Sequence, residues 1–120
     1  MMNIVMVGLG GAVGAILRYL ISLLPFESSF PVATFITNII GAFLIGIIVG
    51  LSDKTSISPR AILLLKVGVC GGFTTFSTFS LESWNLLSNG KIVTGAVYMG
   101  LSLFCCILGV AMAQMLMKKI

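Results

Sequence analysis
The sequence predicts an all-α integral membrane protein: one domain, residues 1–120, of four transmembrane helices with the third broken in its middle. Three observations predict it. Only 8% of the residues are charged and 58% are hydrophobic, where a soluble domain carries roughly 25% charged residues. Four stretches are apolar over the length needed to cross a hydrocarbon core, which takes about 20 residues. The third of these stretches is interrupted by glycines and hydroxyl side chains. A chain this short leaves much of its surface outside, and it lacks the polar residues to cover that surface; its mean hydropathy is +1.19. A soluble enzyme, a nucleic-acid binder and a disordered tail are excluded. Lipid is the solvent for most of these side chains.

Span one runs from about Asn3 to Leu24 and holds one charge, Arg18. Its start has no basic side chain, its apolar run is too long for a leader core, and Gly8, Gly10, Gly11 and Gly14 interrupt it. It therefore reads as a span and not as a cleaved leader. Span two runs from about Pro31 to Leu51, span three from about Ala61 to Leu87, and span four from about Ile92 to Met117. The connections carry turn chemistry: Pro25 to Ser29, Ser52 to Arg60, and Ser88-Asn89-Gly90-Lys91. Such short links make consecutive helices antiparallel, and no soluble domain is expected at either end.

The net charge of +4 comes from scattered residues. With four spans, both termini and the middle loop share one side, which holds Lys54, Arg60, Lys118 and Lys119, with Lys66 nearby. The other side has Lys91, and Arg18 can reach toward it. The positive-inside rule then places the termini in the cytoplasm. Cys70, Cys105 and Cys106 all lie within spans, and the chain has no histidine. They read as small apolar packing residues.

In lipid, helices associate through close approach at small residues. Gly10 and Gly14 form a G-x-x-x-G pattern, as do Gly46 with Gly50 and Gly68 with Gly72, and Gly95 and Gly109 add small sites in span four. Four thin spans make a poor enclosure for a pathway, so an oligomer, most simply a dimer, is expected.

The informative segment is Gly71 to Ser80. Two adjacent glycines weaken a helix by about 1 kcal/mol each, and Thr74, Thr75, Ser77, Thr78 and Ser80 compete for backbone hydrogen bonds. One reading is a bent helix whose hydroxyls bond back to their own backbone. The other is a broken helix beside a cavity, where freed carbonyls hold a cation and a half-helix N-terminus favours an anion. Phe73, Phe76 and Phe79 recur every third residue; a ring edge carries partial positive charge, so such a stripe is either core or a neutral anion surface. Asn38, among Thr34, Thr37 and Gly41, offers a neutral amide donor or an interhelical hydrogen bond. Tyr98, Ser102 and Cys106 share one face of span four. Arg18 either snorkels or has a role within the membrane, and Glu82, near the end of span three, pairs with a basic group or lines a mouth.

Read jointly, three segments resemble the CrcB/Fluc family of fluoride channels: Gly8-Leu9-Gly10-Gly11-Ala12-Val13-Gly14-Ala15-Ile16-Leu17-Arg18-Tyr19; Thr34-Phe35-Ile36-Thr37-Asn38-Ile39-Ile40-Gly41-Ala42-Phe43, continuing to Gly46; and Gly71-Gly72-Phe73-Thr74-Thr75-Phe76-Ser77-Thr78-Phe79-Ser80-Leu81-Glu82. The resemblance implies a small multi-pass protein of a prokaryotic inner (plasma) membrane, built as a dimer whose two subunits are inverted (dual topology). It implies passive, selective fluoride exit that relieves fluoride toxicity, through two pores per dimer. On that likeness Phe76 and Phe79 match pore phenylalanines, and Asn38 matches a polar vestibule residue. Ser77, Thr78, Tyr98, Ser102 and Glu82 fall on or near a polar track, and Arg18 matches a basic residue near the aqueous entry. Gly71 and Thr74 match positions whose backbone carbonyls hold a central sodium ion, Na+, at the dimer interface.

The physics fits that assignment. Fluoride is strongly hydrated, and a row of hydroxyl, amide and ring-edge donors replaces water without binding the ion too tightly to release. Two features depart from it. Cys106 stands where some relatives carry a hydroxyl. The basic residues are also unevenly divided between the two sides, where an inverted homodimer needs a balance near zero; the partner is then either a second copy or an oppositely oriented homologue. Two other functions compete. A small multidrug-type cation/proton exchanger is also a short four-span dimer, but resembles its relatives in having a glutamate in span one, where this chain has Arg18. A non-transporting membrane assembly subunit explains the glycines but not the polar helix break.

Overall fold
The computed structural model describes residues 1–120, and every regular element in it is a helix. Helix α1 spans Met2–Ser22 and α2 spans Val32–Lys54. The third crossing is the 30-residue segment Pro59–Ser88. Its first half, α3, covers residues 59–73, and its second half, α4, is Phe76–Ser88. The last helix, α5, is Ile92–Lys119. Every span boundary lies within three residues of the boundary expected from hydropathy, because the length of an apolar run is a local property that lipid thickness reads directly.

Local chemistry sets the ends. Ser58 caps α3, its hydroxyl accepting the Ala61 N–H at 3.2 Å, with Pro59 in the first turn where its missing N–H costs nothing. Between α4 and α5, Lys91 N–H donates to the Leu86 carbonyl at 2.8 Å and Gly90 N–H to Leu87 at 3.2 Å. This is a Schellman closure, and Gly90 supplies its left-handed residue at φ +80°.

Consecutive spans run antiparallel, yet the most extensive packing joins non-consecutive ones: α1 lies along α3, and α2 along α5. Glycines fix both pairs. A Cβ on Gly10 would collide with the Leu64 carbonyl and the Gly68 Cα, and one on Gly14 with the Val69 carbonyl and the Phe73 nitrogen. A Cβ on Gly72 would meet Gly11 backbone in return. Residue numbers rise together along this seam, so α1 and α3 are parallel. The same holds for α2 and α5, where Gly46 seats Ala113 and Gly50 seats Met117. Gln114 adds a donor across that seam, its Nε2 bonding the Gly46 carbonyl at 2.9 Å. All three G-x-x-x-G pairs therefore lie at interhelical contacts, as expected where backbone approach and not apolar burial drives association.

The subunit is a slab of 50 × 34 × 22 Å, and only 19 of its 120 residues are buried. The small buried cluster, Phe79, Leu86 and Tyr98 with Phe30, Phe35 and Met99 against it, sits beside α4. Most large apolar side chains face outward, as they do in a protein whose surroundings are apolar too.

Candidate functional site
The third crossing is irregular on both sides of its centre. Leu63–Cys70 is π-helical, with i→i+5 backbone bonding, a winding that in other proteins marks functional segments. Gly71 and Gly72 nevertheless stay helical, Gly71 at φ −63° and ψ −39°. The break falls at the next pair of hydroxyl residues: Thr74 at φ −86°, ψ 157° and Thr75 at φ −149°, ψ 120°. The sequence pattern spread the interruption over the two glycines and the hydroxyl residues after them; in the structure Gly72 packs against Gly11 of α1, and the threonines alone carry the extended joint.

An interruption at this depth must satisfy its backbone within the protein. Asn38 of α2 does so. Its Oδ1 accepts the Thr75 N–H at 2.9 Å and its Nδ2 donates to the Thr75 carbonyl at 3.2 Å. One side-chain amide thus stands in for a strand partner across helices. The Thr75 hydroxyl caps α4 by accepting the Thr78 N–H at 3.2 Å, and lies 3.3 Å from the Ser77 hydroxyl. The Thr74 hydroxyl donates back to Cys70 at 2.9 Å, and its methyl group lies over Gly41, where no Cβ fits. Further along, Ser80 and Ser83 bond back to the Phe76 and Phe79 carbonyls at 2.8 and 2.7 Å. The hydroxyls therefore divide between bonding back to their own backbone, at Thr74, Ser80 and Ser83, and capping the helix that follows a real break, at Thr75.

These bonds leave specific groups uncommitted. The Thr75 N–H turns to Asn38 and not to the Gly71 carbonyl four residues back. The Thr74 carbonyl accepts no hydrogen bond within the chain, since Thr78 N–H goes to the Thr75 hydroxyl. Opposite them, the positive end of the α4 dipole begins at Phe76. The joint so places carbonyl oxygens at the end of one half-helix beside the electropositive start of the next.

The joint opens on a groove of about 410 Å³. Its floor is α2, with Asn38, Gly41, Ala42 and Ile45. One wall is the third crossing, with Lys66, Cys70, Gly71, Thr74, Thr75, Phe76 and Phe79, and the other is the Ser102, Cys106 and Val110 face of α5. Ser102 is buried, and its hydroxyl has no hydrogen-bond partner. Phe76 is 74% exposed and Phe79 only 9%, although their rings are 5.5 Å apart. The Phe79 ring meets Tyr98 at 5.2 Å, and Phe30 packs edge-on to Tyr98 at 5.3 Å.

The remaining candidates lie around the groove. Tyr98 donates to Glu82 Oε1 at 2.9 Å, and Thr34 of α2 donates to Oε2 at 3.1 Å. Glu82 is thus held by two neutral hydroxyls from two helices, not by a basic group. Arg18 donates through Nε to the Gly72 carbonyl at 3.2 Å, from the α1 side. The structure therefore brings Asn38, Gly71, Thr74, Phe76, Phe79 and Ser102 onto one surface. It sets Glu82 and Tyr98 behind the Phe79 ring, and places Arg18 outside the groove, tied to the helix just before the joint. Ser77 and Thr78 stay on the first turn of α4. Sequence reasoning placed Thr75 only among the hydroxyls competing for backbone bonds and Thr34 only as a neighbour of Asn38, and it gave no role to Phe30. A capping threonine three residues before Thr78 was a readable signal for the first; for the other two there was none.

A sequence model of the family described as CrcB-like protein, Camphor Resistance (CrcB), matches residues 5–114. The chain belongs to the CrcB family. Among its curated relatives, the Fluoride-specific ion channel FluC of Ruminiclostridium cellulolyticum is 49% identical over all of this chain and 95% of its own. The protein of that name from Shewanella halifaxensis is 43% identical, covering 97% of this chain and 96% of its own, and that of Shewanella oneidensis is 42% identical over the same shares. A CrcB-family assignment places the three glycine-rich and polar segments in one framework, and the match extends across all four crossings.

Proposed function
We propose that this CrcB-family chain is a fluoride-selective passive channel that lets fluoride leave the cytoplasm and so relieves its toxicity. The observation that carries the reading is the Thr74–Thr75 joint, held open by Asn38 at the middle of the third crossing and facing a groove edged with neutral donors. It is supported by full-length relatives that bear the name fluoride-specific ion channel.

The anion path follows the Ser102 hydroxyl, the Asn38 amide and the edges of Phe76 and Phe79, with Ser77, Thr78, Tyr98 and Glu82 beyond them and Arg18 near an entry. Donors of this kind compensate lost hydration without a full charge that would trap the ion. Glu82, already accepting two hydroxyl bonds, orients Tyr98 and Thr34.

The working unit is an inverted dimer with two pores, of two copies or of this chain and an oppositely oriented homologue, multi-pass in a prokaryotic inner membrane. A thin slab whose groove is open along one side does not enclose a path by itself. Sodium is the structural ion of that dimer. The residues suit it: the carbonyls of Gly71 and Thr74 are hard oxygen donors released from helix bonding by the joint. One chain offers too few such oxygens for a full shell, and a second copy doubles them. Bound there, the ion supplies a fixed positive charge near the passing anion.

The test is purified protein in liposomes under a potassium gradient with valinomycin. Electrogenic fluoride release without chloride release is expected. Electroneutral exchange, or equal release of both halides, overturns the reading.

A further inference from the structure
The groove has a single charged residue on its lining, Lys66, and no acidic side chain accompanies it there. Lys66 is exposed and lies in the π-helical stretch Leu63–Cys70. It follows the start of α3 at Pro59 by seven residues, about 10 Å of helix, and precedes Thr74 by eight, about 12 Å. An ionisable side chain within a crossing is costly unless it faces water or a partner, and it marks an ion path by default. A lysine that only snorkels to lipid headgroups has no need of the groove side of its helix; this one lines the same surface as Asn38, Thr74 and the unpartnered Ser102 hydroxyl.

We infer that Lys66 is the electrostatic collector of this channel: its ammonium draws the anion into the groove from the side bearing the chain termini. The inference rests on the fluoride-channel reading and adds to it a named recruiting residue. The charge stands one stage before the neutral donors, so it raises the local anion concentration without belonging to the narrow part that selects the ion. A low-dielectric wall on either side strengthens that field. Lys66 acts before the selecting donors, so it governs how fast fluoride enters and not which halide passes.

The test compares wild type with Lys66→Gln, Lys66→Glu and Lys66→Arg, each first checked for an unchanged assembly by size-exclusion chromatography. Initial fluoride efflux is measured from liposomes of neutral phosphatidylcholine, at total ionic strengths of about 10 mM and about 300 mM set with an inert organic potassium salt. These correspond to screening lengths of about 30 Å and about 6 Å. At low ionic strength Lys66→Gln is expected to slow efflux about three- to tenfold. Lys66→Glu slows it further, Lys66→Arg restores it, and the differences shrink at high ionic strength with fluoride-over-chloride selectivity unchanged. A glutamine variant equal to wild type at low ionic strength overturns the inference. So does a loss that salt leaves unchanged or that arginine fails to restore, which marks a packing role instead. A wild type that moves no fluoride overturns the channel reading itself, and the inference with it.

Discussion
The side-chain amide of Asn38 occupies both backbone hydrogen-bonding groups of Thr75, at 2.9 and 3.2 Å, from a different helix. A polar residue that looks like a vestibule donor in the sequence is thereby also the clamp that keeps the third crossing broken. Its remaining amide hydrogen is what it can offer to an ion.

Asn38→Asp tests both roles together. A carboxylate places an acceptor oxygen against the Thr75 carbonyl and a negative charge beside the anion path. Fluoride efflux from liposomes is expected to fall by at least tenfold. Asn38→Ala leaves two backbone groups of Thr75 unpaired at membrane depth, at about 1–3 kcal/mol each, and thermal unfolding in detergent should register the loss. Full activity and unchanged melting in both variants would place Asn38 outside the site.

Phe76→Ile and Phe79→Ile separate conduction from packing. Both remove a ring edge from the groove, and both should collapse fluoride efflux while the protein still elutes as its native assembly. Phe79, buried against Tyr98, should in addition lose about 0.5–1.5 kcal/mol of stability with its aromatic contact. Unchanged flux would remove the rings from the path.

Tyr98→Phe leaves Glu82 with a single hydroxyl donor, from Thr34. A hydrogen bond to a carboxylate contributes about 1.5–3 kcal/mol, so the variant should melt earlier and conduct more slowly. Thr34→Val, which removes the other donor, should act in the same direction. Parallel melting and flux measurements on the two variants check whether Glu82 depends on both hydroxyls.

Gly14→Ala would set a methyl group into the Val69 carbonyl and the Phe73 nitrogen, where only backbone can yield. Overpacking of this kind costs about 1–3 kcal/mol, and the strain falls on the residues just before the joint. Gly8→Ala meets nothing within 4 Å and should be tolerated. Melting temperatures of the two variants, measured side by side, give the comparison.

A reporter fused to the C-terminus reads the membrane orientation. Both orientations are expected if the partner is a second, inverted copy. A single orientation, in line with the excess of basic residues on the side of the termini, would point to an oppositely oriented homologue.

The sequence by itself determined the number of crossings, their limits to within three residues and the polar interruption of the third. Each of these depends on a run of neighbouring residues meeting lipid of fixed thickness. The three G-x-x-x-G pairs also announced close helix contact, but not with which helix. Only the tertiary structure decided that α1 pairs in parallel with α3 and α2 with α5, and that Gly71 and Gly72 stay helical while Thr74 and Thr75 extend. It alone joined Asn38 to Thr75 and both Tyr98 and Thr34 to Glu82. Those relationships link residues far apart in the chain. An amide or a hydroxyl in lipid must find some partner, and which one it finds is set by the helix that packs beside it.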